Sequence, residues 1–288
     1  MNKNNKGVLL AILAAMLYAI STPVSKLLLL GISSTLLAGF LYIGAGVGMS
    51  ILGIARRAGG KVSTETKLDR SDLPYTIAMI ALDIAAPILL LLGLSIATPE
   101  NVSLLNNFEI VATAIIALLF FGEKISKRLG VAIGLITLAS FILSLESIEA
   151  LEFSFGSLLV IAAACCWGLE NNCTRKLSSK DPLQIVVVKG ICSGSGSLII
   201  GLVIGEKIES FWYILAALAL GFVAYGLSIF AYVYAQRMIG AARTSAYYAI
   251  APFIGSTLSL VIFQSLPHIS FFVAVIVMAV GSYLASKE

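Results

Sequence analysis

Long apolar stretches recur along this chain with short polar breaks between them, at residues 7–30, 33–55, 73–97, 101–121, 128–146, 155–176, 182–205, 210–235, 241–264 and 268–286. Each is close to the ~20 residues that a helix needs to cross the hydrocarbon core of a bilayer. In lipid only helices and closed barrels satisfy every backbone polar group. Barrel strands would alternate with a period of two over roughly ten residues, and none of these runs alternates. Soluble domains are roughly half apolar and a quarter charged; here 59% of residues are hydrophobic and 12% charged, an excess no water-soluble core absorbs. The spacing predicts an all-α membrane protein of about ten transmembrane helices. The first stretch follows Lys3 and Lys6 as a signal peptide would, but its apolar run is too long and no small-residue cleavage site follows it, so it reads as a true span.

Orientation follows from the basic residues, which gather on the cytoplasmic side. With the N-terminus inside, the inner loops collect Arg56, Arg57, Lys61, Lys67, Arg70, Lys124, Lys127, Arg128, Lys176, Lys180, Arg237 and Arg243. The outer loops hold Glu100, Glu146, Glu149, Glu152, Glu206 and Glu209 against Lys207. Both termini are therefore expected in the cytoplasm, in a multi-pass protein of the cell membrane. The net charge of +4 belongs to these inner loops and calls for no nucleic-acid partner.

Cofactor chemistry finds little footing. Cys165, Cys166, Cys173 and Cys192 lie in apolar runs without a C-x-x-C pair and read as small packing residues. His268 is the one histidine, so neither a metal site nor a cofactor is expected. The segment 201–207 lacks the spacing and the Ser/Thr of a phosphate loop.

The first and sixth stretches align without a gap. Gly7-Val8-Leu9-Leu10-Ala11-Ile12 runs beside Gly156-Ser157-Leu158-Leu159-Val160-Ile161, and in the same register Tyr18 meets Trp167 and Lys26 meets Arg175. An odd number of spans per half turns the second half upside down, so the expected organisation is two inverted five-helix repeats, residues 1–147 and 148–288. Inverted repeats are a recurring design of secondary transporters, with the substrate site near the midplane between the halves.

Several motifs carry a family likeness. Ala235-Gln236-Arg237-Met238-Ile239-Gly240-Ala241-Ala242-Arg243-Thr244-Ser245-Ala246-Tyr247-Tyr248-Ala249-Ile250-Ala251-Pro252 gives a short loop, a small-residue helix start and a mid-helix proline. Ala97-Thr98-Pro99-Glu100-Asn101-Val102 and Phe121-Gly122-Glu123-Lys124 occupy the corresponding places in the first half. In order and spacing the chain resembles the drug/metabolite transporter superfamily, in its EamA-type branch of ten-span transporters. That resemblance implies export of a small polar or amphipathic metabolite. Counting back from Gly122-Glu123, the family usually has a proline where this chain has Glu109, and the matching position of the other half is Pro252. Exchanging a proline for an ionisable group inside an apolar run sets this chain apart, so a relative's substrate does not transfer to it.

Intramembrane ionisable residues mark functional sites by default. Read as a continuous helix at 1.5 Å per residue, the fourth span buries Glu109 roughly 13 Å below the outer surface, and the third raises Asp83 about 15 Å above the inner one. Both are near the midplane, where a carboxyl can hold a proton and release it when its exposure changes. Asn106 and Asn107 precede Glu109, with Asn106 one turn away to orient its carboxyl. Pro87, one turn after Asp83, frees a carbonyl and bends its helix. Glu170, beside Asn171 and Asn172, and Lys189 fall at matching depths and predict an ion pair, either a tie or a gate. Lys26 and Arg175 sit at helix ends and read as headgroup anchors.

Tyr18 and Trp167 are placed to line a cavity from both halves, extended by Tyr225 and Tyr232 and by Tyr247 and Tyr248. The glycines Gly44, Gly46 and Gly48 are expected to meet Gly190, Gly194 and Gly196 with their neighbouring serines in close helix packing; Gly130-x-x-x-Gly134 and Gly201-x-x-x-Gly205 read alike. The expected function is a secondary transporter working by alternating access, with protons exchanged through Glu109 or Asp83 and the bilayer as its setting. Two rivals are an intramembrane enzyme using Asp83 with Glu109 as a hydrolytic pair, and a non-transporting scaffold. No H-E-x-x-H or G-x-S-x-G motif supports the enzyme.

Overall fold

The computed structural model of the chain describes residues 3–60, 65–121, 126–147, 152–177, 179–239, 247–265 and 267–286. Helical segments occupy all ten apolar stretches. They are α1 (Lys3–Ala19), α2 (Ser21–Leu28), α3 (Ser34–Ala58), α4 (Leu73–Ile96), α5 (Pro99–Leu105), α6 (Phe108–Phe121), α7 (Lys127–Ser144), α8 (Phe155–Leu177), α9 (Pro182–Val203), α10 (Phe211–Leu220), a π-helical segment (Gly221–Leu227), α11 (Ser228–Ile239), α12 (Ala251–Phe263) and α13 (Ile269–Ser286). Six continuous stretches are long and apolar enough to cross a membrane, and two shorter apolar helices follow at Ala251–Phe263 and Ile269–Leu284. A small hairpin, β1 (Leu145–Ser147) with β2 (Glu152–Phe153), joins α7 to α8. The Gly122-Glu123-Lys124 motif and residues 240–246 of the second motif lie outside the described residues.

Four of the ten stretches are not plain α-helices. The first breaks at Ile20, the fourth at Asn106-Asn107 and the ninth at Ala249-Ile250, while the eighth widens into a π segment. Irregular backbone at membrane depth survives only where protein or a cavity covers it; Ala19, Asn106 and Ala251 beside the three breaks border one cleft, and Tyr225 of the π segment packs on Tyr18 at its edge.

Besides α3 with the π segment and α6 with α8, the packing partners include α3 with α9, α4 with α8, α1 with α11, α7 with α13 and α5 with α12. Numbered as stretches, these last five are second with seventh, third with sixth, first with eighth, fifth with tenth and fourth with ninth. The set is unchanged when every stretch is exchanged with the one five places on.

The crossing of α3 explains the glycine pattern. Residues two apart on a helix lie about 200° apart, so alternate glycines face opposite ways. A Cβ on Gly190 would come within 2.4 Å of Gly46 N, whereas one on Gly44 would reach 2.2 Å from Leu218 O and one on Gly48 2.1 Å from Phe222. The glycines of α3 therefore do not all meet α9, as expected; Gly46 does, and Gly44 and Gly48 admit α10 and the π segment on the other side. Gly134 has open space around it, and Gly205, at φ +76, ends α9 rather than packing. The cysteines also depart from expectation, because Cys165 and Cys192 are exposed and Cys173 alone is buried.

The loops meet at two ends. At one, residues 31–33 lie beside residues 206–209, with Ser33 N donating to Lys207 O at 3.2 Å and Glu209 N to Gly31 O at 2.9 Å. There Glu206 accepts from Thr35 N and Leu36 N at 3.2 and 2.8 Å, serving α3 as an N-cap while Ser33 turns its side chain to Lys207. At the other end Asp181 N donates to Thr66 O at 2.8 Å and Leu68 N to Gln184 Oε1 at 2.9 Å. The outward faces carry Leu119, Phe120, Leu202, Val203 and other exposed apolar side chains. In water such patches are liabilities; in a bilayer they meet lipid.

Candidate substrate and ion site

The polar residues of the interior come from helices whose outward faces are apolar and exposed. Asp83 of α4, Glu170 of α8 and Lys189 of α9 are 0%, 2% and 8% exposed. Lys189 Nζ lies 3.1 Å from Asp83 Oδ2 and 3.1 Å from Glu170 Oε1. Tyr42 of α3 donates to Asp83 Oδ1 at 2.9 Å, and Thr174 donates to Glu170. The expected Lys189–Glu170 pair is thus present and has Asp83 as a third member. Pro87 lies within α4, one turn beyond Asp83, without interrupting the helix.

Glu109 has a different partner from the ones its neighbours in sequence suggest. Its carboxylate accepts from Asn171 Nδ2 of α8 at 2.5 Å, while Asn172 Nδ2 donates to Thr113 O at 3.1 Å and Gly168 O at 2.8 Å. Asn106 does not orient this carboxyl, because the chain is not one helix there. It turns at Asn106-Asn107, with Ile110 N bonding to Asn107 O at 3.1 Å, so Asn106 faces elsewhere. Nor do Asp83 and Glu109 form a carboxylate pair; each is engaged by a different partner.

The same turn reinterprets the exchange of proline for glutamate. α6 begins at Phe108 and α12 at Ala251, so Glu109 and Pro252 both occupy the second position of a new half-helix. The turn before α12 mirrors the other, with Phe253 N bonding to Ile250 O at 3.1 Å. A proline is tolerated in the first turn because its missing N–H has no helical partner there. A carboxylate is favoured there because it faces the positive end of the helix dipole. The two residue types answer the same local demand, and the glutamate adds a charge.

Tyrosines connect these groups. Tyr42 packs on Tyr225 at 5.4 Å between ring centroids, Tyr225 on Tyr18 at 5.8 Å, Tyr18 on Tyr248 at 5.9 Å, and Tyr248 on Tyr232 at 4.9 Å. Ser21 donates to the Tyr225 hydroxyl at 3.2 Å. Tyr18, Tyr225 and Tyr232 come together as expected. Trp167 is buried in the same core, and Tyr247 is exposed. Tyr42, Thr113 and Thr174 went unpredicted; a lone tyrosine or threonine in an apolar run carries no periodic signal. Lys26 is not a headgroup anchor. Its ammonium caps α4, donating to Leu94 O, Ser95 O and Ala97 O at 2.5, 3.2 and 3.0 Å.

Among the described residues no group of His, Cys, Asp and Glu is arranged to hold a metal ion. What remains is a set of buried charges, discontinuous helices and aromatic rings inside an apolar helical bundle, the arrangement found in carriers that hold substrates and ions at mid-depth. A model of the EamA-like transporter family matches residues 5–145 and again residues 154–287, and the chain belongs to that family: it is a multi-pass membrane transporter. It is 27% identical over 296 residues to an uncharacterized transporter of Methanothermobacter thermautotrophicus, covering 96% of this chain and 85% of the relative. The uncharacterized transporter YyaM of Bacillus subtilis is 25% identical over 180 residues, 59% of each chain. A protein chain of known crystal structure matches with a TM-score of 0.70 at 16% identity, over 97% of this chain and 95% of its own, a likeness of fold.

Proposed function

We propose that this transporter is a secondary carrier of the cell membrane that exports a small polar or amphipathic metabolite by alternating access, driven by proton exchange. Its ten spans form two inverted repeats, residues 1–147 and 148–288, with both termini in the cytoplasm. The paired family matches and the packing pattern that survives a shift of five stretches support the repeats. The basic residues of the loops support the orientation.

One observation carries the coupling. Glu109 is a partly buried carboxylate at the start of a half-helix, held by a neutral amide from the other half of the chain. Asp83 is locked by Lys189 and Tyr42, so Glu109 is the carboxylate free to exchange a proton as its surroundings change. The enzyme alternative has less support, since Asp83 is engaged by Lys189 and Tyr42 and Glu109 by Asn171.

The test begins with a thermal-shift screen of purified protein against amino acids, polyamines, nucleobases and lipophilic cations. Flux of the ligand found is then measured in proteoliposomes under an imposed pH gradient. Glu109→Gln is expected to abolish pH-driven flux and Asp83→Asn to reduce it. Glu109→Pro is expected to keep the fold, losing about 1 kcal/mol for the turn bond from Glu109 N to Asn106 O at 3.1 Å rather than the ~3 kcal/mol of a helix interior, while also losing the pH drive. Undiminished pH-driven flux in Glu109→Gln removes this carboxylate from the mechanism.

A further inference from the structure

A cleft beside the broken helices has no role in the ion pairs described above. It is bounded by Tyr18, Thr22, Ser103, Asn106, Pro252 and Gly255, with room for about one water-sized group. Ser103 and Asn106 are 1% and 7% exposed, and Ser103 Oγ and Asn106 Oδ1 have no hydrogen-bond partner among the described residues. Buried polar atoms are ordinarily satisfied, so an amide oxygen that needs a donor and a hydroxyl that can also accept, both unpaired on one small cleft, leave room for a donor.

Charge and shape narrow that donor. Asp83 and Glu170 share the ammonium of Lys189, whereas Glu109, three residues beyond the cleft's Asn106, is held by the neutral amide of Asn171, and a carboxylate without a cation is costly in a low-dielectric interior. Tyr18 forms one wall of the cleft and stacks with Tyr225 and Tyr248, and aromatic faces attract cations. A hydroxyl would satisfy the acceptors and leave the charge. A quaternary ammonium would answer the charge, but it has no N–H to donate and is wider than the cleft. A primary ammonium has the size, the charge and the donors.

We infer that the cleft between Tyr18, Ser103 and Asn106 seats the ammonium head of a primary amine, which makes primary amines the substrate class of this carrier. The inference rests on the transport reading for its last step and on the cleft alone for the binding step. The amine nitrogen donates to Asn106 Oδ1 and Ser103 Oγ, with the Tyr18 ring beside it and Glu109 supplying the counter-charge.

The full-length protein in detergent is titrated with phenethylammonium, phenethyltrimethylammonium, phenylalanine and 3-phenylpropionate, and binding is read from the rise in unfolding temperature. The four share a phenyl group and differ in the head. Phenethylammonium is expected to protect at concentrations at least ~10-fold below the others, a difference of about 1.4 kcal/mol. Ser103→Ala removes an unpaired atom, so the ligand-free unfolding temperature stays level or rises while amine binding weakens at least ~3-fold; Asn106→Leu weakens it at least ~10-fold. Equal protection by the trimethylated, zwitterionic or anionic probe overturns the assignment, as does protection by none of them or undiminished amine binding in both variants. Proteoliposome uptake of the same probes separates the two readings. Zwitterion or anion flux coupled to protons keeps the transporter and rejects the amine, whereas an amine that binds without being carried keeps the site and rejects the transport step.

Discussion

Lys180 and Lys189 each face two carboxylates, one just before α9 and the other inside it. The contacts of Lys180 are the shorter, 2.7 Å to Asp69 and 3.0 Å to Asp72, against 3.1 and 3.1 Å for Lys189. Distance alone would rank the loop cluster as the stronger. Surroundings reverse the order: the Lys180 and Asp72 side chains are 13% and 12% exposed, but Asp69 at 56% opens the loop cluster to water, whereas the side chains of Asp83 and Glu170 are 0% and 3% exposed. At an aqueous surface, water and salt compete for each charge and a pair adds little. In the interior the desolvation penalty has been met for all three groups at once, so losing one strands the others. The loop cluster adjusts an interface; the buried cluster is a condition of folding.

The largest expected effect that would break this contrast comes from Lys189→Met. It leaves Asp83 and Glu170 facing each other without a cation, at a cost of about 3–5 kcal/mol, read as a fall in unfolding temperature or loss of folded protein. Adding Asp83→Asn and Glu170→Gln to the same chain is expected to restore most of the loss, and failure to do so would show that Lys189 matters for packing more than for charge. Asp83→Asn alone is milder, about 1–3 kcal/mol, because Lys189 keeps Glu170 and Tyr42 keeps a hydrogen-bond acceptor.

Lys180→Met is expected to leave the unfolding temperature nearly unchanged at neutral pH, and raising the salt should erase the remaining difference. Its pH dependence sharpens the contrast further. The hydrogen bond from Lys180, and then those from Ser71, hold the Asp69 carboxyl below the usual range. That contribution is fully present above the ordinary aspartate pKa of about 3.9 and fades as pH falls through the depressed folded value. Hydrogen bonds to Asp69 and then Asp72 hold the Lys180 ammonium above its usual value, so its share is present below about pH 10 and is lost as pH rises through the raised one. The difference between Lys180→Met and the parent should be flat from about pH 5 to 9 and close at both extremes. A difference that grew on acidification would contradict these pairings.

The architecture was largely legible because the bilayer imposes one length on every crossing element. Depth arithmetic found Lys189 and Glu170, since two charges at one level on consecutive spans have few other partners. It missed Asp83 because a third helix enters the cluster from a direction that sequence spacing does not encode. The break at Asn106-Asn107 was invisible for a local reason. Neither asparagine is a strong breaker, no proline or glycine stands between Leu104 and Phe121, and helix propensity differences of a few tenths of a kcal/mol yield to tertiary packing. Glu109 therefore looked like a charge in mid-helix, when it stands at the head of a helix. The tyrosine chain was half visible, with Tyr18, Tyr225 and Tyr232 foreseen and Tyr42 missed.

The crossing of α3 over α9 carries a mechanical consequence. Side chains that interlock act as teeth, and sliding past one another requires each to leave its socket. Where Gly46 meets Gly190 and Gly194 meets Ile43, backbone lies against backbone, with the side chains of Ile43, Ile191 and Leu198 fitted around the glycines as the few teeth. With few teeth engaged, the contact has the form of a bearing, on which α3 and α9 can shift against each other with little side-chain repacking. A methyl group at Gly190 would fall 2.4 Å from Gly46 N, backbone that cannot give way, so Gly190→Ala is expected to force the two helices apart and lower the unfolding temperature.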